Sequence, residues 1–591
     1  MLQSIDWLII VAYFLLSLFI GLYFSKRAGK NLSEFFLGGR AMPWYLAGLS
    51  MVATTFAADT PLAVNELVAQ HGVAGNWLWW NMLFGGMLTT FFFARLWRRS
   101  GILTEVELIE FRYSGKPAAW LRGFKAVYLG VFMNCIIIGW VNVALITILR
   151  VFFNIPESEA LWYVAGAMLI TAFYSALSGL WGVTVTDAVQ FVIAMTGCIV
   201  LAFLVLDSDK IGGIAGLKNQ LPASSLDFFP VIGDGSSAGT VLTLSVASFF
   251  AYLSIWAFSW YPGAEPGGGG YVAQRMMSTR TEKESIYATL FFQMAHYCLR
   301  PWPWIIVGLC TIILYPELGD TDKKLGYVMA MKDFLPAGLK GLLLVAFLAA
   351  YMSTIATQLN WGSSYLVNDL YKRFIKPPEK FSSEEKAQRS YVAAGRTVTF
   401  LTMAIGLFVT TQITTISGVW SFVIECGAGL GLVLILRWYW WRINAWSEIT
   451  ATLTPFAAYA VSKFVLHLEF PQSFFFTIGI TTAAWVIITF LTKPEKEETL
   501  HAFYKKVQPQ GCWNPVRLKL NMQKTGSLIP LFICWISAAM MTYSVLFATG
   551  YFIFQETSKA WMWSAGALTF FFVFRMAVKK SGVFENQTEQ H

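Results

Sequence analysis

The feature that most limits what this chain can fold into is an apolar run, roughly 20 residues long, that keeps returning. Crossing about 30 Å of hydrocarbon takes about 20 helical residues. About fifteen such runs follow one another, from 5–25 to 559–578. No segment between them is long enough for a soluble catalytic domain. The runs lack the period-two alternation of barrel strands, and in hydrocarbon only helices and closed barrels satisfy every backbone polar group. The predicted class is an all-α integral membrane protein. Composition agrees: 13% of the residues are charged and 56% hydrophobic, against about 25% charged in soluble domains. The stretch "MLQSIDWLII" carries an aspartate where a signal peptide carries positive charge, so the first span is expected to stay in the mature protein.

Lysine and arginine crowd alternate connections, at 26–42, 95–125, 275–283, 372–396 and 493–524, and cation-rich connections face the cytoplasm. The expectation is a multi-pass plasma (inner) membrane protein with its N-terminus outside and its C-terminus cytoplasmic. Its net charge of +9 then faces an anionic leaflet and calls for no nucleic-acid partner. The lipid bilayer is the partner this pattern implies, and no obligate protein partner is evident. Seven cysteines without a C-x-x-C pair argue against a metal cluster or disulfide framework. No H-E-x-x-H, nucleophile elbow or histidine cluster occurs, so an enzyme is not expected.

Polar interruptions of the apolar runs carry the functional information, because a backbone group left unsatisfied in hydrocarbon costs several kcal/mol. In "VATTFAADTP" (52–61), Thr54, Thr55, Asp59, Thr60 and Pro61 interrupt the second span. Two readings stand: a Pro-kinked helix whose threonines bond back to their own backbone, or an unwound segment with carbonyls turned into the bundle. In "PGAEPGGGG" (262–270), seven of nine residues are Gly or Pro. This is either a break in the seventh span or a cytoplasmic connection. The two interrupted spans each open a run of five, the pattern of inverted repeats with a binding site at the breaks. The expected organisation is a leading helix and loop (1–42), a first repeat (43–208), an extracellular loop (209–236), a second repeat (237–442), and four further helices (443–591) with a cytoplasmic loop at 493–526. In the ninth span Ser353, Thr354 and Thr357 lie within about one turn. Their hydroxyls, with carbonyls freed in the second span, would make a neutral-oxygen cage suited to a hard alkali cation. Hydroxyls between membrane helices also serve as glue.

The blocks "EFFLGGRAMPWYLAGLSMVATTFAAD", "FYSALSGLWGVTVTDAVQFVIA", "YVAQRMMSTRTEKES" and "AAYMSTIATQLNWGSSYLVNDLYKRF", in this order, resemble the sodium:solute symporter family over about residues 1–450. The resemblance implies a LeuT-type 5+5 inverted-repeat core, with about 15 transmembrane helices in all. It implies Na+ as the coupling ion, held between the first and eighth core helices by the carbonyls of Ala53, Phe56 and Ala350 and the hydroxyls of Ser353 and Thr354. Asp187 would stand on the sodium release path. Ala356 occupies the place where some relatives have a serine for a second sodium. The sugar-binding pattern is absent, since Trp79 stands at a sugar-contacting glutamate and Trp420 near a polar tenth-helix position. Thr55, Asp59, Trp79, Trp80, Trp256, Trp260, Trp420 and Glu425 are the candidate solute contacts. The implied activity is sodium-coupled secondary active symport, importing a small organic solute by alternating access. Proton coupling through His296 or Glu425, or a transporter-like solute sensor, are the alternatives.

Overall fold

The computed structural model describes residues 3–233, 242–413, 416–523 and 526–584. The end of the expected loop 209–236, the start of the seventh span at 237–241, residues 414–415 of the eleventh span and residues 524–525 of the loop 493–526 lie outside the described residues. Each apolar run falls on helix, beginning with α1 (Ser4–Ala28). The second span is two helices, α2 (Trp44–Thr54) and α3 (Asp59–His71). After a span at 83–100 come α4 (Gly115–Phe153) and α5 (Glu157–Leu206). The seventh span is again two helices, α6 (Val246–Phe258) and α7 (Gly270–Ser278). Then follow α8 (Glu282–Leu314), α9 (Leu339–Ile375) and α10 (Glu384–Thr410). The eleventh span is broken into α11 (Ile416–Cys426) and α12 (Gly431–Tyr439). Four helices close the chain: α13 (Ala445–Ala460), α14 (Gln472–Leu491), α15 (Leu528–Ile553) and α16 (Thr557–Ser581).

Among the described residues, 9 helices are long and apolar enough to cross a membrane unbroken. The sequence yields more segments because several spans are interrupted, and because α5 holds two of them, joined where Gly179 leaves the helical conformation (φ 55°, ψ −157°). The centre of the bundle is α9, whose residues 343–365 are all buried. It packs against α1, α2, α4, α5, α7 and α10. At the periphery, α16 presents Trp561, Leu568 and Phe572 outward, as a lipid-facing helix should.

The breaks survive inside the bundle because neighbours satisfy the backbone groups they release. At 55–58, the Thr54 carbonyl accepts from Thr354 Oγ1 at 2.9 Å and the Phe56 N–H donates to the Ala53 carbonyl at 3.0 Å. The breaks at 259–269 and 427–430 serve each other. Trp260 N–H donates to Gly427 O at 3.3 Å, Gly429 N–H to Phe258 O at 2.8 Å, and Ser259 Oγ to Ile424 O at 2.5 Å. Trp97 Nε1 holds Gly267 O at 2.9 Å. Gly267 and Gly268 take φ values of 78° and 76°. The "PGAEPGGGG" segment is therefore an interior break and not a cytoplasmic connection.

The Gly179 bend gives a direct test. A Cβ there would lie 2.6 Å from the Phe35 carbonyl oxygen, in a backbone region open essentially to glycine alone. Gly179→Ala is expected to cost about 1–3 kcal/mol and to lower the melting temperature of the detergent-purified protein. Gly166→Ala meets nothing within 4 Å and is expected to leave it unchanged or slightly raised. Equal melting of the two variants would remove the bend as a packing constraint.

Candidate functional site

Two features meet at the centre of the bundle: a buried polar corner and a cavity. The corner forms where the last turn of α2, the second half of α5, α7 and α9 converge. Ser353 Oγ donates to Asp187 Oδ1 at 2.7 Å, and the Ser50 hydroxyl donates to Oδ2 of the same carboxylate. Arg275 of α7 lies on the other side, with Nη2 at 3.7 Å from Asp187 Oδ2. The same guanidinium donates to Ser50 Oγ at 3.1 Å and to Thr357 Oγ1 at 2.7 Å. Thr357 Oγ1 is 3.0 Å from Thr54 Oγ1, and Thr354 Oγ1 lies 3.3 Å from the Ala350 carbonyl. The spacing on α9 turns these hydroxyls toward α2. The break in α2 leaves carbonyls without a next-turn donor, so hydroxyls from another helix can reach them.

Of the candidate ion ligands, Ala350, Ser353 and Thr354 thus sit together on α9, opposite the break that follows Ala53 and contains Phe56. The Phe56 ring turns away onto Trp304, centroids 4.8 Å apart. Asp187, expected on an exit path, is bonded to Ser353 itself. The donor set is hydroxyl, carbonyl and one carboxylate oxygen, which suits a small hard cation. Among the described residues no group of three or more His, Cys, Asp or Glu could hold a metal. Arg275 belongs to this corner and not to the cytoplasmic cations among which its position in 275–283 counts it.

From Thr54 and Thr354 a cavity of about 1450 Å³ opens, lined by residues of all three broken spans and by α4 and α8. It extends toward Arg150, Asn154 and Lys324, away from the cation-rich connections. The opposite side is sealed. Trp97 packs on Trp438 with centroids 4.9 Å apart, and Arg112 lies 4.8 Å from the Trp513 ring. Beyond them Arg122 pairs with Asp369 at 2.6 Å, Arg437 with Glu448 at 3.1 Å, and Arg373 with Glu110 at 2.8 Å.

Among the candidate solute contacts, Thr55, Asp59, Trp79 and Trp420 line the cavity. Trp79 stacks on Tyr297 at 5.4 Å, and Trp420 meets Trp140 and Tyr261, both at 6.2 Å. Asp59 is buried, with Oδ1 lacking a hydrogen-bond partner. Trp80, Trp256, Trp260 and Glu425 are not among the residues that line the cavity. The Trp80 ring meets Trp77 and Phe547, Trp256 leans on Gly85 and Trp535, and Trp260 lies in the seam between two breaks. Glu425 accepts from Ser473 and pairs with Lys463 at 3.6 Å, on the terminal helices. The reason is helical phase. Neighbouring residues point about 100° apart, so Trp79 and Trp80 cannot share a face, and five residues separate Trp420 from Glu425 by about 140°.

His296 lines the cavity with Nδ1 3.0 Å from Thr55 Oγ1 and Nε2 3.3 Å from Arg300 Nη2. Sequence reasoning passed over Arg300, although a cation in the middle of the apolar run 286–315 is the kind of intramembrane charge that marks function.

The corner makes a stability prediction. Asp187→Asn leaves Arg275 buried without its counter-charge, which is expected to cost about 3–5 kcal/mol. Arg275→Met added to it is expected to restore part of the melting temperature. Additive losses in the double variant would mean that the two charges do not compensate each other.

A model of the sodium:solute symporter family matches residues 35–454. A sodium/glucose cotransporter of Vibrio parahaemolyticus is 23% identical over 522 residues, covering 83% of this chain and 90% of its own. A human sodium-coupled monocarboxylate transporter 2 is 26% identical over 386 residues, covering 62% of this chain and 58% of its own. Among solved structures, a substrate-bound, outward-open Na+-coupled sialic acid symporter superposes with a TM-score of 0.67 at 19% identity, covering 84% of this chain and 99% of that one. That likeness shows a LeuT-type fold.

Proposed function

This chain belongs to the sodium:solute symporter family, and on that premise we propose that it imports a small organic solute with sodium, binding the ion at the α2–α9 corner and the solute in the cavity beside it. The chain is a multi-pass membrane transporter of small solutes with Na+ as its coupling ion. The reading assigns sodium to the carbonyls of Ala53, Phe56 and Ala350 and the hydroxyls of Ser353 and Thr354, with Asp187 supplying nearby negative charge. Residues 43–208 and 237–442 are the two inverted repeats, in a plasma membrane with the N-terminus outside.

The observation that carries this reading is the contact between the broken helix and α9: Thr354 on the Thr54 carbonyl at 2.9 Å, with Ser353 on Asp187 beside it. An ion taking oxygens from both helices would tie them together and favour the arrangement in which the cavity is open to the outside. Solute then completes the cavity, the outer side closes, and the sealed side opens. One charge crossing 100 mV releases about 2.3 kcal/mol, and a tenfold sodium gradient adds about 1.4 kcal/mol. Together they support roughly 500-fold accumulation of a solute without net charge.

Proton coupling finds less support. The His296 imidazole already meets Thr55 at one nitrogen and a guanidinium at the other, and Glu425 is engaged by Lys463 away from the cavity.

The test is uptake into proteoliposomes of a labelled pool of sugars, amino acids and carboxylates, driven by sodium, potassium or proton gradients. Uptake is expected with sodium alone. The Ser353→Ala, Thr354→Ala double variant is expected to need about tenfold more sodium or more, as for two lost hydrogen-bonding ligands. Uptake indifferent to sodium, or an unchanged sodium requirement in the double variant, would overturn the ion assignment. Binding without uptake would favour a sensor.

A further inference from the structure

Arg300 is buried in the cavity wall, yet no carboxylate touches its guanidinium. The side chain is 2% exposed and lines the cavity from α8. Its Nη1 donates to Thr55 Oγ1 at 3.0 Å, its Nη2 lies 3.3 Å from His296 Nε2, and its Nε has no hydrogen-bond partner. These are neutral neighbours. Trp304 lies beneath the guanidinium, 5.2 Å from ring centroid to Cζ, and supports its face while leaving the N–H edge free. Among the described residues no carboxylate touches it; the Asp59 carboxylate, on the same cavity, acts on its charge from a distance without forming an ion pair. Elsewhere in the bundle Arg122, Arg275 and Arg437 do meet carboxylates, at 2.6, 3.7 and 3.1 Å.

A guanidinium held at membrane depth with no carboxylate in contact is costly, and such groups belong to pathways and binding sites. Here it borders a cavity large enough for a solute, so the contacting anion can arrive with the cargo. The planar fork of arginine matches a carboxylate bidentately. A second unsatisfied group borders the same cavity: Asp59 Oδ1, an acceptor without a donor. It would repel further negative charge on the solute and reward a hydroxyl or an ammonium. Trp79, Trp420 and Tyr261 give the remaining wall an aromatic, apolar character.

We infer that the solute is a small monocarboxylate carrying a hydrogen-bond donor on its body, a hydroxy acid or an amino acid, with its carboxylate on Arg300 and its donor on Asp59. This rests on reading the cavity as the solute site. Arg300 and Asp59 then act as an opposed pair, and a sugar or a cation satisfies only one member.

The test is ligand-induced thermal stabilisation of the full chain purified in detergent, in sodium and in potassium. The probes are lactate, phenyllactate, alanine, proline and phenylalanine, set against glucose, inositol, choline and inorganic phosphate. At least one carboxylate is expected to stabilise the parent in sodium, and none of the second group. Arg300→Gln is expected to raise the half-saturating carboxylate concentration about tenfold or more. Arg300→Lys, which keeps the charge but loses the fork, is expected to fall between. Stabilisation of Arg300→Gln by sodium alone shows that it remains folded. If Arg300→Gln responds to carboxylates like the parent, if only sugars, choline or phosphate stabilise, or if nothing in the panel does, the inference is overturned. Carboxylate binding equal in sodium and potassium would instead sink the sodium coupling and leave the Arg300 assignment standing.

Discussion

Every backbone polar group released inside the bilayer has to find a partner within the protein, and this demand organises the whole core. Three spans unwind, and they are met in two ways. The second and third breaks face each other and exchange N–H and carbonyl groups through Trp260, Gly427, Gly429 and Phe258. The first has no such backbone partner and is served by side chains of α9, chiefly Thr354. That difference matters for function. Backbone pairing builds a fixed seam, whereas hydroxyls can turn their oxygens to an ion and exchange a hydrogen bond for a coordination bond at little cost. The break that side chains satisfy is therefore where the proposed ion site costs least to form.

The same arrangement explains where the cavity lies. The two broken spans that open the repeats leave their unwound segments side by side, with Thr55, Asp59, Tyr261 and Gly263 on a common wall. Unwinding removes side chains from the helix surface and glycine adds none, so space remains at the meeting point. A Cβ on Gly263 would fall 1.9 Å from the Tyr271 hydroxyl, so that approach requires glycine.

Much of this was legible along the chain. The apolar runs, the Thr-Asp-Pro interruption, the Gly/Pro segment and the hydroxyls of α9 are local patterns, and each corresponds to a break, a helix or a corner residue in the structure. What a single sequence does not carry is the rotation of each helix about its axis relative to its neighbours. That rotation separates Trp79 from Trp80 and Trp420 from Glu425, and it sends Trp256 to Trp535. The buried charges escape local pattern for a related reason. Arg275 lies next to surface cations in the sequence but turns inward to Asp187, and Arg300 is hidden within an apolar run whose average hydropathy conceals one charge. Asp369 pairs with Arg122 of a distant segment and not with Arg373 one turn away.

Magnitudes decide which parts can move in a transport cycle. The sealed side is held by buried ion pairs among Arg122, Asp369, Lys125, Arg437 and Glu448. Breaking one by exposing an unpaired charge costs about 3–5 kcal/mol, comparable to the roughly 3.7 kcal/mol that one sodium delivers across 100 mV and a tenfold gradient, and the cluster holds three such pairs. The contacts between α2 and α9 are hydrogen bonds worth about 1 kcal/mol each. One ion can therefore remake the α2–α9 contact but cannot dismantle the cluster. Elements joined by that cluster, the far end of α9 with residues 105–125 and with α12 and α13, must move as one body, and the inner path must open along seams where aromatic rings such as Trp97 and Trp438 slide without losing charge pairs.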